Sequence, residues 1–91
     1  MKFEWDEDKS VRNARKRGLP FEFAVPMFDG PCLEVSDDRQ DYGETRIKAL
    51  GVVSGRVLVC VYTWRGGNRR IISLRKANRK EADEYDRTFP G

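Results

Sequence analysis

Arginine and lysine are concentrated in one acid-free stretch of this sequence. Residues 45–80 contain ten Lys and Arg side chains and neither Asp nor Glu. Three arginines surround a Gly66-Gly67 turn, namely Arg65, Arg69 and Arg70. A second group, placed where a strand meets a helix, consists of Arg75, Lys76, Arg79 and Lys80. Cations at this density attract a phosphate backbone or an acidic protein, and a solvated basic surface without a partner is the alternative.

Aromatic side chains are interleaved with these cations. Trp64 and Tyr62 share one face of a predicted central strand, and Tyr85 comes from the last helix. Aromatic rings beside guanidinium groups are typical of proteins that grip single-stranded bases, although large aromatics in central strands are also common core residues. Ser73 and Arg75 share one face of the next strand. An arginine in mid-strand requires a counter-charge, water or a ligand.

The sequence contains no histidine, and this excludes several kinds of site. Zinc sites built on imidazole, Ser-His-Asp triads and the His-His pair of many ribonucleases all need that side chain. Cys32 and Cys60 are too few for a disulfide scaffold or a four-thiolate metal site, so we expect reduced, apolar fillers. No metal site and no cofactor is therefore expected.

Length and hydropathy limit the architecture. A chain of 91 residues has room for one compact domain, which we place over residues 1–91. Its formal net charge of +3 divides unevenly, with −4 in residues 1–44 and +7 in residues 45–91. No apolar run approaches the ~20 residues of a membrane span. The first 20 residues lack the apolar region of a secretory signal, so a cytoplasmic protein with no membrane partner is expected.

Capping residues delimit a first helix over residues 7–17. Asp6 precedes it, acidic residues come early and basic residues late, and Gly18 supplies a left-handed cap. Val11 and Ala14 are expected on its inner face. This order of charges favours the helix because it complements the helix dipole.

Apolar spacing predicts a second short helix over residues 20–28, and Pro26 is expected to kink it or end it early. Alternating and apolar runs predict strands, separated by turns and by a mobile loop at 36–44. These strands cover residues 2–5, 32–35, 45–53, 57–64 and 69–76. In the last of them, strict alternation puts Ile72 and Leu74 on one face and Ile71, Ser73 and Arg75 on the other.

A capping box of Asn78 and Glu81 predicts a terminal helix over residues 79–87. The chain is thus expected to belong to the α+β class, with an antiparallel sheet of about four strands plus a short N-terminal strand. Two N-terminal helices and the C-terminal helix should pack to one side of that sheet.

Several sequence blocks resemble the BrnT family of bacterial toxins from type II toxin–antitoxin modules. The most specific are RIISLRKANRKEADEY at 70–85 and FEWDEDKSVRN at 3–13. Further matches are Arg17-Gly18, Phe21 through Ala24 to Phe28-Asp29, Glu44-Thr45-Arg46, Gly51 and Thr63-Trp64-Arg65. Two positions depart from the pattern: Arg17 stands where the family often has a histidine, and Pro26 falls within the second predicted helix.

The resemblance implies a RelE-like fold and a small endoribonuclease that inhibits translation and growth. It also implies a BrnA-type antitoxin with a ribbon-helix-helix DNA-binding part. Through that antitoxin the complex would bind promoter DNA and repress its own operon. Relatives in the wider RelE group cut mRNA without a metal ion, using Lys, Arg and Tyr.

These residue types suggest a mechanism in which a ribose 2′-oxygen attacks the adjacent phosphorus. Arg65 and Arg75 would stabilise the charge that builds on the phosphoryl oxygens. Without imidazole the general base must be Lys or Tyr, and the candidates are Lys76, Tyr85 and Lys9. RNA would be bound by Trp64, Arg69, Arg70, Ser73, Arg79 and Lys80.

Two other functions fit the same composition. The cationic stretch would also serve a nucleic-acid-binding module that cleaves nothing, acting only within a DNA-binding repressor complex. It could equally dock an acidic or amphipathic partner as an adaptor. Only the enzyme shortens its RNA.

Overall fold

The computed structural model describes residues 2–91 and consists of a five-stranded sheet with helices on both faces. The strands are β1 (Phe3–Trp5), β2 (Leu33–Ser36), β3 (Ile47–Val53), β4 (Arg56–Arg65) and β5 (Asn68–Lys76). The helices are α1 (Glu7–Arg17), two 3₁₀ helices (Phe21–Ala24 and Pro26–Asp29) and α2 (Arg79–Thr88). The predicted α+β class is confirmed. No helix within residues 2–91 has the length and apolar character that a bilayer span needs.

The sheet order is β1-β5-β4-β3-β2. Strands β2 to β5 form an antiparallel meander, in which each strand pairs with its sequence neighbour. Two-residue turns join β3 to β4 and β4 to β5, and residues 37–46 connect β2 to β3. β1 pairs in parallel with the first part of β5, from Arg69 to Ile71. β4 is therefore a central strand, and its run of buried side chains agrees with the prediction from its continuous apolar sequence.

Helix α1 begins and ends where its capping residues predict. The Asp6 side chain accepts from the Lys9 N–H, and Gly18 takes the left-handed conformation at φ 70°. The predicted inner face is wrong at Val11, which is 40% exposed, whereas Ser10 is buried. The helix is held by polar contacts instead, since Asn13 Nδ2 donates to the Leu74 carbonyl in β5 and Ser10 Oγ accepts from a backbone N–H.

The second predicted helix over 20–28 is wrong as a single element, whereas the expected interruption at Pro26 is confirmed. The segment forms two 3₁₀ helices that meet at Val25, and Pro26 opens the second one. Proline has no N–H to donate to an α-helical ladder, so a single helix cannot run through that position. The apolar spacing nevertheless corresponds to buried side chains, because Phe21, Ala24 and Met27 are buried against the sheet.

Helices cover both faces of the sheet, so the prediction that they pack to one side is wrong. Leu58, Cys60 and Tyr62 of β4 point to the face covered by the 3₁₀ helices. Val59, between them in the chain, points to the other face and packs with Tyr85 of α2. We call these the 3₁₀ face and the α2 face.

A bulge in β5 overturns the strict alternation predicted for that strand. Val61 pairs with Ser73 and Tyr62 pairs with Ile71, so Ile72 is left as an extra residue. Ile71 and Leu74 are consequently both buried on the 3₁₀ face, although they are three residues apart. Beyond the bulge, Ser73 and Arg75 lie on the α2 face, opposite Val61 and Val59.

Candidate active site

A groove lies between α1 and the bulged part of β5. Its volume is about 320 Å³. We call it the α1 groove, and its lining residues are Lys9, Arg12, Asn13, Lys16, Arg17, Phe21, Ile72 and Ser73. Four of these side chains are cationic, and none of the described residues that line the groove is acidic. Such a surface favours an anionic ligand.

A second groove crosses the α2 face of the sheet and continues from the first. Its volume is about 440 Å³, and we call it the sheet groove. Its lining residues are Arg17, Val35, Ser36, Asp37, Asp38, Arg39, Lys48, Val61, Ser73 and Arg75. Arg17 and Ser73 line both grooves. The two hollows therefore form one continuous depression that runs from α1 across the sheet.

Arg75 is fixed at the end of the sheet groove by Glu81. Both terminal nitrogens of Arg75 donate to the Glu81 carboxylate, at 2.8 and 2.9 Å. Lys48 Nζ from β3 approaches the same carboxylate at 2.8 Å. This supplies the counter-charge that a mid-strand arginine requires. The Arg75 guanidinium, helped by Lys48 and the Asn78 N–H, holds the pKa of Glu81 far below its usual range.

Glu81 is itself held in place by the start of α2. Its carboxylate accepts from the Asn78 N–H, while the Asn78 side chain accepts from the Glu81 N–H, which forms the predicted capping box. The Glu81 side chain is only 9% exposed. In turn the hydrogen bonds that Arg75 donates to Glu81 raise the pKa of Arg75, so this guanidinium stays charged and oriented.

Tyr85 lies in the core instead of lining a groove. It is 5% exposed and packs with Leu50 and Val59, and its hydroxyl donates to the Pro31 carbonyl at 2.9 Å. A tyrosine that acts as a general base near neutral pH needs a lowered pKa. Burial instead raises the pKa of Tyr85.

The remaining predicted catalytic residues lie apart from one another. Lys9 lines the α1 groove. Lys76 is exposed at the end of β5 and lines neither groove. Arg65 is at the β4–β5 turn, opposite Asn68, and its terminal nitrogen is 3.9 Å from Glu44. Seven residues at ~3.3 Å each separate that turn from Arg75, so the two arginines are roughly 20 Å apart and do not contact the same phosphate.

The predicted RNA-binding residues divide between the two faces. Ser73 lies between the two grooves, and Arg70, on the same face, pairs with Glu4 of β1 at 2.8 Å. Arg79 and Lys80 are exposed in the first turn of α2. Trp64 and Arg69 pair with each other on the opposite, 3₁₀ face.

On that 3₁₀ face, Arg69 is packed among four aromatic rings. Its guanidinium carbon is 4.2 Å from the centre of Phe28, 4.7 Å from Trp64, 5.1 Å from Tyr62 and 6.0 Å from Phe3. Arg69 is only 9% exposed, whereas Trp64 is 48% exposed. This cluster gives Arg69 a cation–π role in packing.

Sequence reasoning missed three parts of the site, although two of them left a signal. Arg12, Lys16 and Arg17 follow Lys9 at helical spacing and so share a face of α1. Because residues 1–44 have a net negative charge, the cations on this face of α1 were not recognised as a basic surface. Lys48 alternates with apolar residues in β3, so its charged side chain was predictable as one that points away from the apolar core. Glu81 was identified only as a cap, because its contact with Arg75 depends on how α2 packs.

Comparison with known proteins identifies the family of the chain. A search of curated proteins found no match. The family described as "Ribonuclease toxin, BrnT, of type II toxin-antitoxin system" matches residues 5–81, which include α1, all of the sheet except the first residues of β1, and Glu81. A match of this extent confirms the resemblance found in the sequence. The chain belongs to the BrnT family of ribonuclease toxins of type II toxin–antitoxin systems.

Proposed function

We propose that this chain is an endoribonuclease that cleaves RNA without a metal ion, in the groove that contains Arg75. The observation that carries the proposal is the bidentate contact between Arg75 and Glu81. It holds a permanently charged, forked donor at the end of a groove that continues over Ser73 to a cationic helix. Glu81 takes one hydrogen bond from each terminal nitrogen, so a phosphate oxygen would be bound by the guanidinium N–H groups that remain.

The reaction would be an internal transfer at phosphorus. The ribose 2′-oxygen attacks the adjacent phosphorus and gives its proton to a base, while the bond to the 5′-oxygen breaks and that oxygen takes up a proton. The products are a 2′,3′-cyclic phosphate and a 5′-hydroxyl. Negative charge builds on the phosphoryl oxygens in the transition state, and Arg75 would stabilise it. Removing one such donor typically costs about 2.7–4 kcal/mol.

The base that we propose is a lysine, either Lys76 or Lys9, because Tyr85 is buried. Lys76 is exposed and follows Arg75 directly in β5, whereas Lys9 lines the α1 groove. Lys and Tyr side chains ordinarily titrate near pH 10, so the cleavage rate is expected to rise toward alkaline pH. We also expect no inflection near pH 6.5 and no loss of activity in EDTA. A step at pH 6.5 or inactivation by the chelator would contradict this scheme.

The direct test compares Arg75→Lys and Arg75→Ala with Arg56→Ala, an exposed arginine at the start of β4. Arg75→Lys keeps a positive partner for Glu81 but loses the fork, so it separates catalysis from folding. We expect cleavage to fall about 10²- to 10³-fold in both Arg75 variants, which is the range for one oxyanion donor. Affinity for a DNA oligonucleotide of the same sequence should change much less, and Arg56→Ala should match the wild type.

Equal losses of binding and cleavage in the Arg75 variants would favour the non-catalytic alternative. In that case the chain would bind nucleic acid or act as an adaptor only within a DNA-binding repressor complex. The family assigns a ribonuclease, so we place this alternative second.

We further propose that the fold is RelE-like and that the antitoxin is BrnA-type, with a ribbon-helix-helix part through which the complex binds promoter DNA. The protein would act in the cytoplasm, where its RNA substrate is found. An antitoxin that neutralises the enzyme has to cover Arg75 or the cations beside it. Association of the two proteins should then slow as ionic strength rises, because charge complementarity sets the on-rate. Salt-independent association would place the interface away from these cations.

A further inference from the structure

We propose that the cationic face of α1 is a second phosphate-binding site, which holds the RNA backbone next to the phosphate that is cleaved. The site consists of Lys9, Arg12, Lys16 and Arg17, and we call it the α1 stripe. This inference rests on the proposed function, because it takes the ligand to be the backbone of single-stranded RNA. It adds a binding site on an element that the acid-free stretch of the sequence does not include.

The positions of the four residues place them on one side of the helix. They occur at i, i+3, i+7 and i+8, and all four line the α1 groove. Arg15, one residue before Lys16, is also exposed but does not line the groove. The clustering therefore follows the groove and is not a general property of the helix surface.

Helix stability does not account for the stripe. Cations near the end of a helix complement its dipole, which would explain Lys16 and Arg17 in the last turn. The same dipole disfavours a cation in the first turn, yet Lys9 is the third residue of α1. An anionic ligand in the groove would compensate for that cost.

The stripe is continuous with the groove that contains Arg75. Arg17 and Ser73 line both hollows, so the groove of Arg75 adjoins the stripe at Arg17. In this proposal the RNA strand passes from Arg75 to Arg17. From Lys9 to Arg17 the helix rises ~12 Å at 1.5 Å per residue. With at least ~3.4 Å between phosphates along one strand, this length accommodates at most about four phosphates. RNA would thus be bound over several nucleotides on one side of the cleaved bond.

The test compares Arg12→Gln with Arg15→Gln, two exposed arginines of the same helix, only the first of which belongs to the stripe. The probe is a fluorescently labelled 2′-O-methyl oligonucleotide, which cannot be cleaved, in lengths of three and ten nucleotides. Arg12→Gln should weaken binding of the longer probe about 3- to 10-fold and lower the slope of log affinity against log salt by about 0.7. Arg15→Gln should keep the affinity within twofold of the wild type and the salt slope within 0.2 of it. The short probe should distinguish the two variants less.

Equal weakening by the two variants would overturn the stripe and indicate nonspecific attraction to a basic helix. No effect of Arg12→Gln would also overturn it. Cleavage is measured in a separate assay, on an RNA that has free 2′-hydroxyl groups. If Arg12→Gln weakens RNA binding more than Arg15→Gln does, but the wild type cleaves no RNA, the α1 stripe is supported and the catalytic proposal is contradicted. If the wild type cleaves RNA but the two variants bind it equally well, the catalytic proposal is supported and the α1 stripe is contradicted.

Discussion

Glu81 accepts hydrogen bonds from both terminal nitrogens of Arg75, at 2.8 and 2.9 Å. The same carboxylate also forms an ion pair with Lys48 and caps the beginning of α2. One carboxylate thus connects three elements: β3, β5 and α2. Because the contact is bidentate, it fixes the plane of the guanidinium as well as its position. Glu81 is therefore a positioning residue in the proposed reaction, although it does not touch the RNA.

Glu81→Gln should lower turnover while tightening RNA binding. The amide keeps an acceptor for the Asn78 N–H, but it removes a negative charge beside the groove and accepts only one hydrogen bond from Arg75. We expect a lower kcat with an unchanged or lower KM, and a loss of about 1.5–3 kcal/mol in the free energy of unfolding. Steady-state kinetics and urea unfolding measure these effects. Glu84→Gln, an exposed glutamate on the same helix, is the matched control, and equal kcat values in both variants would contradict the positioning role.

Acid should remove the contribution of Glu81 to stability. The pKa of Glu81 is lowered in the folded chain, so its stabilisation is fully present above the unfolded value of ~4.3 and is lost as pH falls toward the folded value. The difference in unfolding free energy between wild type and Glu81→Gln should be constant from pH 7 to 5.5 and shrink below pH 4. Urea unfolding at each pH tests this. Other carboxylates with lowered pKa values, such as Glu4 and Asp37, are common to both proteins and cancel. A difference that grows in acid would show that Glu81 does not act through its charge.

Tyr85→Phe should keep its RNA cleavage. The substitution removes the hydroxyl that donates to the Pro31 carbonyl and leaves the ring packed on Leu50 and Val59. We expect about 1 kcal/mol less stability, with an unsatisfied carbonyl as the cause, and kcat within twofold of the wild type. Thermal unfolding and a cleavage assay measure the two effects. A 100-fold loss of kcat in a folded variant would restore Tyr85 as a catalytic residue.

Gly51→Ala should be destabilising, and Met27 should account for part of the cost. A Cβ added at Gly51 would overlap Met27 Cγ and lie 3.2 Å from Cys32 Sγ. Overpacking of this kind costs about 1–3 kcal/mol. In a Met27→Ala background the added methyl group has room, so the cost of Gly51→Ala should fall by at least ~1 kcal/mol. Urea unfolding of the four proteins in this cycle gives the coupling, and strictly additive costs would contradict the contact.

The elements that local chemistry determines were predictable from the sequence. The caps of α1, the capping box of α2 and the central strand all depend on residues close together in the chain. The 3₁₀ helices at 21–24 and 26–29 were not predicted, because apolar spacing alone does not distinguish one α-helix from two short turns that bury the same side chains.

The site was predictable where one residue type carried the signal. Arg75 was singled out because a charged side chain in mid-strand needs a partner, and Glu81 is that partner. The separation of Trp64 and Arg69 from Ser73 and Arg75 could not be predicted. Strand alternation gives the face of a residue only if the register is unbroken, and the register here is set by pairing between β4 and β5.

The extra residue at Ile72 has an evolutionary consequence. Since Ile71 and Ser73 pair with adjacent residues of β4, a chain that lost Ile72 would regain an uninterrupted ladder while every other side chain kept its face. The fold can therefore tolerate either length at this point. What changes is the wall of the α1 groove that Ile72 provides. Shortening β5 by one residue would thus reshape the proposed RNA-binding groove while leaving the pairing of the sheet intact.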